Sequence, residues 1–352
     1  MSQSTETRRE SDSILRKALN DLVRYGLVAL VAFFLFGLIL LISGKDPIQA
    51  YGDIFSSTLG SVYGLSEVIV AMTPLLLTAL AVALPSRIGL INVGGEGQLY
   101  MGACAATWGA LTFSELPGWI LLPILVLLGM IGGGIWAFIP GYLRAKGLVN
   151  ETISTLLLNA VAPMIVSFFV FGFWHSPMDT NKTPIFASSA RLPKLFETRI
   201  DISLLIAILL LVLFWYAMKY TRWGLEMRAI GGNPQAAMRN GIPLKTYIIV
   251  VMCIAGGIAG IAGMAQVTGF YGVLLANFSR GIGYMGFLIS WLAGGSPVGI
   301  LITSFVVAVI ITGGNLLQLT RDIPYSVINI LLAFTLFVVL ARPSFFRKRN
   351  ET

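Results

Sequence analysis

Apolar runs of roughly twenty residues recur along this chain, each about the length at which an α-helix crosses the hydrocarbon core of a bilayer. The first, Arg24 to Ser43, is too long for a signal-peptide core and lacks an A-x-A-like cleavage site, so it reads as a retained helix. Further runs fall at 66–84, 97–113, 119–140, 152–174, 201–218, 246–267, 283–295, 298–319 and 325–341, which makes ten. Of 352 residues, 56% are hydrophobic and only 11% charged, whereas a soluble domain carries about 25% charged residues. The expectation is an all-α polytopic membrane protein with one transmembrane domain over 24–342. It is flanked by a cytoplasmic tail over 1–23 and a basic cytoplasmic tail over 343–352. In the first tail, "SILRKALNDLVR" sets Ile14, Leu15, Leu19 and Leu22 on one helical face, opposite Arg16 and Lys17, as an interfacial helix would.

The formal charge of +8 raises nucleic acid as a partner. With ten spans, however, most Lys and Arg residues fall on the side of the N-terminus, in short connections around Arg87, Arg144 and Arg222 and after Arg342. The positive-inside bias then places both termini in the cytoplasm, and orientation accounts for the surplus charge.

Two of the runs, 97–113 and 283–295, are short and flanked by glycine, which suggests broken or re-entrant helices buried within protein. The first opens in "GLINVGGEGQLYMGA", Gly89 to Ala103, with Glu96 among glycines. A carboxylate at the centre of a membrane helix costs about 2.5–3.5 kcal/mol, so it should face a cavity or a partner. Together with Asn92 and Gln98 it offers donors and acceptors suited to ribose hydroxyls or a base edge. Equally open is a structural role near the cytoplasmic interface, pairing with Arg87 or capping the short helix. Asn159, Asn315 and Gln318 are amides in apolar runs, suited to ligand contact or to interhelical hydrogen bonds. Trp291, Trp108 and Tyr271 can stack on a base or simply pack. The lone His175 and the distant Cys104 and Cys253 indicate neither a metal site nor a disulfide framework, and no catalytic constellation is visible.

Two connections are long. His175 to Ile200, with several prolines and mixed charges, suits an external docking surface or lid. Lys219 to Lys245 lies inside and contains Asn233 as an N-cap, Pro234 at the first helical position and Gly241 at the end position. It thus presents a short capped helix to a cytoplasmic partner.

Here the residues carry a resemblance. "EMRAIGGNPQAAMRNGI" resembles the coupling loop of importer permeases of the ATP-binding-cassette class, with Gln235-Ala236-Ala237-x-x-x-Gly241 where many have Glu-Ala-Ala-x-x-x-Gly. "INVGGEGQLYMGA" and "NETISTLLLNAVA" (Asn150 to Ala162) resemble the permeases of nucleoside importers, within the wider group of ribose and branched-chain amino-acid permeases. Sugar-specific relatives tend to show Asp in the segment where this chain has Asn92, and the Gly95-Glu96-Gly97-Gln98 pattern favours the nucleoside branch. The resemblance implies a subunit of a bacterial inner-membrane importer that receives nucleosides from an external binding protein and pairs with a second permease chain as a heterodimer. ATP and Mg would sit on a separate ATPase that grips Gly232, Asn233, Pro234, Gln235, Ala236, Ala237, Arg239 and Gly241. No cofactor would be bound by this chain. The sequence agrees in lacking a G-x-x-x-x-G-K-[ST] loop, since Gly44-Lys45 has neither the upstream Gly nor the following Ser or Thr. A weak internal likeness links "NETISTLLLNAVA" to "PYSVINILLAFTL", Pro324 to Leu336. The competing reading is a stand-alone secondary transporter using Glu96 as its proton- or cation-coupling acid. It is disfavoured because no second carboxylate lies well inside a span.

Overall fold

A computed structural model describes residues 44–177, 179, 181–195 and 198–321, with scattered positions between 34 and 42 and at 330. The interfacial helix, both tails, nearly all of the spans expected at 24–43 and 325–341, and the second repeat segment lie outside the described residues. Within them the regular structure is helical, accompanied by isolated β-bridges.

Contacts divide the described residues into two compact units, one over 61–309 and the other of those up to 60 together with those from 310 onward. The larger unit begins with α2 (Val62–Ser86), started by the Ser61 hydroxyl on the Gly64 amide. There follow α3 (Gly95–Thr112), α4 (Gly118–Ala145), α5 (Glu151–Phe171) and α6 (Ser203–Tyr220). Two short helices come next, α7 (Arg222–Gly232) and α8 (Pro234–Arg239). Helix α9 (Leu244–Ala265) continues as a π-helical turn over Gln266–Tyr271, and a half-length helix α10 (Ile282–Leu292) precedes α11 (Pro297–Arg321). In the smaller unit, α1 (Pro47–Thr58) starts on Asp46, whose carboxylate accepts from the Ile48 and Gln49 amides. Gly313, in the second half of α11, leaves room there for the Ile54 side chain.

Among the described residues, six helices are long and apolar enough to cross a membrane. Two of them, α2 and α9, have 89% and 78% of their most apolar window buried, against 28–33% for α4, α5 and α6. The former pair is therefore central, and the latter three bury one stripe and turn the rest outward. Apolar burial gives little drive between helices in lipid, so close backbone approach must hold the centre together. Gly129 and Gly133 of α4 meet Gly256 and Gly260 of α9, and a Cβ at Gly260 would overlap the Gly129 carbonyl. Gly102 of α3 faces Gly260 in the same way, so three helices converge on small residues.

The two ends of the larger unit carry different chemistry. At one end, Arg144 pairs with Glu151 at 3.0 Å, and Arg87 closes α2. At the other, Arg199 pairs with Glu67 at 2.6 Å and donates to the Tyr63 hydroxyl at 3.1 Å. The long connection after α5 is fastened there by backbone bonds from Thr183 to Leu274, Phe186 to Gly272 and Leu192 to Thr268, at 2.9–3.1 Å. The loop expected as a docking surface or lid is thus bonded to the segment that leads back into the bundle.

Candidate functional site

Between α2 and α3 the backbone leaves helical geometry at residues 88–94, yet most of this stretch is buried. Buried irregular backbone must find hydrogen-bond partners in the protein itself. Those partners are the polar residues that the sequence singles out. Asn92 and Gln98, at 0% and 1% exposure, bond amide to amide at 3.0 and 3.1 Å. Asn92 also accepts from the Gly94 amide at 3.0 Å and donates to the Ala81 carbonyl at 3.3 Å. Asn159 of α5 accepts from the Gly97 amide at 2.8 Å and donates to the Val93 carbonyl at 2.9 Å. Glu151 takes the Ile91 amide at 3.2 Å. These side chains turn their hydrogen bonds to the break, which starts α3 partway through the bundle.

Glu96 lies in the first turn of α3 at 5% exposure, and its carboxylate reaches a different helix. One oxygen accepts from the Gly281 amide at 3.1 Å and the other from the Gly283 amide at 2.7 Å, at the N-terminus of α10. That terminus carries the positive end of the helix dipole and free N–H groups. Gly283 packs directly on the Glu96 backbone, where no Cβ would fit. At the opposite end of α10, Arg87 Nη2 donates to the Gly295 carbonyl at 2.5 Å. The half-helix is therefore held head and tail by an anion and a cation from one connection, each at the dipole end that favours it. Among the described residues Arg87 and Glu96 form no ion pair, because each is committed to its own end of α10.

Depth follows from helix rise. The Thr78 hydroxyl touches the Ile282 carbonyl at 3.5 Å. It lies nine residues, about 14 Å, from Arg87 and sixteen residues, about 24 Å, from Val62. The start of α10 is thus near the middle of a hydrocarbon core about 30 Å thick.

The remaining sequence candidates are placed elsewhere. Trp291 is half-exposed near the end of α10, and Trp108 is likewise half-exposed beside Phe113. Tyr271 donates its hydroxyl to the Phe278 carbonyl. Asn315 and Gln318, expected as buried amides, lie in the smaller unit and are exposed, while Gly313 and Leu317 form the buried side of α11 there. One residue that the sequence analysis did not single out is Arg280. It is exposed, makes no hydrogen bond or ion pair with the described residues, and is the one non-glycine residue among them with positive φ, at 49°. Two residues from Ile282, it places a cation at a depth where burial in lipid costs at least about 2.5–3.5 kcal/mol.

On the Arg87 side, Asn233 caps α8 by accepting from the Ala236 amide at 3.0 Å, with Pro234 in the first turn. Gly241 takes a left-handed φ of +81°, ending the helix. Gly232, Asn233, Pro234, Gln235, Ala236, Arg239 and Gly241 are exposed, and Ala237 points inward. Helix α7 braces this element: Arg228 donates to the Met218 carbonyl, Arg222 pairs with Glu226 at 2.7 Å, and the Tyr247 hydroxyl donates to Glu226. The Tyr247 hydroxyl and then Arg222 hold the Glu226 carboxyl below its ordinary value of 4.5. A cavity of about 470 Å³ lies between α7 and the start of α9, lined by Trp223, Glu226, Gly241 and Tyr247.

Membrane-length apolar helices wrapped around a buried break define a multi-pass membrane protein. The family model described as the permease component of a branched-chain amino acid transport system matches residues 64–340, and the chain belongs to that family. It is 34% identical to the glucose ABC transporter permease protein TsgB13 of Haloferax volcanii, covering 95% of this chain and 92% of that one. It is 33% identical to the nucleoside ABC transporter permease protein NupB of Lactococcus lactis, covering 90% of each chain. With the guanosine ABC transporter permease protein NupP of Bacillus subtilis the identity is 30%, over 86% of this chain and 88% of that one.

Proposed function

We propose that this chain is the membrane permease subunit of an ATP-driven importer, forming half of the pathway for nucleosides delivered by an external binding protein. The observation that carries this reading is α8: a helix capped at both ends, exposed except for Ala237, and set between two membrane-length helices. A separate ATPase carrying ATP and Mg would grip it, and closure of that ATPase on ATP would drive the membrane chains between outward- and inward-facing states. Family membership and the nucleoside and guanosine permeases among the relatives support the assignment. The clustering of Arg87, Arg144, Arg228 and Arg239 toward one end supports a cytoplasmic position for that end, and the proposed topology sets both termini in the cytoplasm. On the same reading the chain sits in the bacterial inner membrane with about ten spanning or re-entrant segments. A second permease chain, different in sequence, closes the pathway.

The glucose permease relative favours a second reading in which the cargo is a hexose. Uptake of radiolabelled guanosine and of glucose into proteoliposomes decides between them, using the co-purified complex, the binding protein and internal ATP. ATP-dependent guanosine uptake that fails in Gly241→Asp while the complex stays assembled is the expected result. Uptake by this chain alone, driven by a pH gradient and indifferent to ATP, would overturn the importer reading. Glucose uptake without guanosine uptake would overturn the cargo.

A further inference from the structure

We infer that Arg280, with Tyr284 one turn further on, forms the mid-membrane contact for the base of a 6-oxopurine nucleoside such as guanosine as it passes this chain. The inference rests on the nucleoside reading above but not on the energy source. Arg280 stands just before the half-helix, at the depth fixed by Thr78 and Ile282, and is exposed. Its natural counter-charge is already engaged, since both Glu96 oxygens accept from the Gly281 and Gly283 amides. An unpaired guanidinium at this depth must face water, a ligand or a partner chain, because lipid does not solvate it. Its backbone is held at φ 49°, a left-handed conformation costly for a side chain with a Cβ. Strain of this kind, where the surroundings fix it, marks positions at which the side chain's direction matters.

What the site takes follows from its chemistry. A guanidinium is a planar fork of donors, matched to two acceptors side by side. Guanine and other 6-oxopurines offer such a pair in N7 and the neighbouring carbonyl oxygen, whereas adenine sets an amino donor beside N7. Tyr284 and Trp291, 41% and 51% exposed, lie seven residues apart on one face of α10 and offer ring surfaces about 10 Å apart along the path. A base has a π-face to lay against them, which a hexose does not. The amides of Asn92, Gln98 and Asn159 are buried and bonded at the chain break, so they leave this recognition to Arg280 and the rings.

The test compares uptake of guanosine with that of 7-deazaguanosine, which lacks the ring-nitrogen acceptor. It uses the full complex in proteoliposomes with binding protein saturated by each ligand. Wild type should prefer guanosine, and Arg280→Gln should lower guanosine uptake by roughly ten-fold. The deaza analogue should lose much less, so the ratio of the two falls toward one. Arg280→Lys keeps the charge without the fork and should flatten the ratio as well, which preserves the test if the Gln variant fails to assemble. Equal loss for both ligands, or no loss, overturns the inference. So does release of the second permease chain by both variants, which would assign Arg280 to an ion pair between chains. Wild-type uptake that proceeds without ATP would strike down the importer reading and leave the ligand ratio at Arg280 still readable.

Discussion

Replacing Glu96 by Gln tests the central feature of the bundle. In wild type both carboxylate oxygens accept backbone amides of α10, at 3.1 and 2.7 Å. Hydrogen bonds to a charged group contribute about 1.5–3 kcal/mol each, and the dipole adds up to about 2 kcal/mol in a partly buried setting. Gln has the same length but presents one oxygen and one NH₂, so a single amide regains its acceptor and the other faces a donor. The expected loss is about 2–4 kcal/mol. Equilibrium unfolding of the purified chain in mixed detergent micelles measures it, and hydrogen exchange at Gly281 and Gly283 locates it. A Gln variant within about 0.5 kcal/mol of wild type would refute the capping role. If such a variant also lost the pH dependence of uptake, Glu96 would be a coupling acid and the secondary-transporter reading would return.

Three further outcomes are expected. Asn159→Leu strands the Gly97 amide and the Val93 carbonyl, costing about 2–5 kcal/mol in the same unfolding assay. Gly260→Leu drives a side chain into the Gly129 backbone where α4 crosses α9 and should abolish the monodisperse peak in size-exclusion chromatography, while Gly52→Ala, with open space around it, leaves the peak unchanged. Because the folded-state Glu226 carboxyl titrates below its ordinary value, its bracing of α7 is present at neutral pH and lost as pH falls through that depressed value. Protection of the 222–232 amides, taken relative to their intrinsic exchange rate at each pH, should therefore hold from pH 7 to about 5 and fall only in stronger acid. In Tyr247→Phe the fall should begin at higher pH, and an unchanged onset would remove Tyr247 as the cause.

The spanning helices and α8 were legible because their signals are local. A run of apolar residues at bilayer length stands out in any sequence, and the expected 66–84, 119–140 and 246–267 appear as Val62–Ser86, Gly118–Ala145 and Leu244–Ala265. The order Asn233, Pro234 and Gly241 marks the two ends of a short helix within nine residues. Helix α1 was missed despite Asp46-Pro47 because it falls below the length and apolarity of a span, and α7 was missed for the same reason. Glycine-rich composition marked 97–113 and 283–295 as broken, but not what the breaks are for. Glu96 finds its partners 185 and 187 residues away, and Asn159 meets Gly97 from 62 residues away. No periodicity encodes such pairings, since they exist only after helices from distant parts of the chain pack. Arg280 sits in the polar stretch "ANFSRG", which the sequence analysis leaves between the spans 246–267 and 283–295 as an outer connection. Only the return of residues 272–281 into the bundle carries that charge to mid-membrane. The sequence by itself determined that this chain crosses a membrane and carries a short capped helix between two spans, because length and capping are properties of neighbours. The tertiary structure alone decided which polar residues support the backbone and which are left free, because a hydrogen bond already made cannot also be offered to cargo.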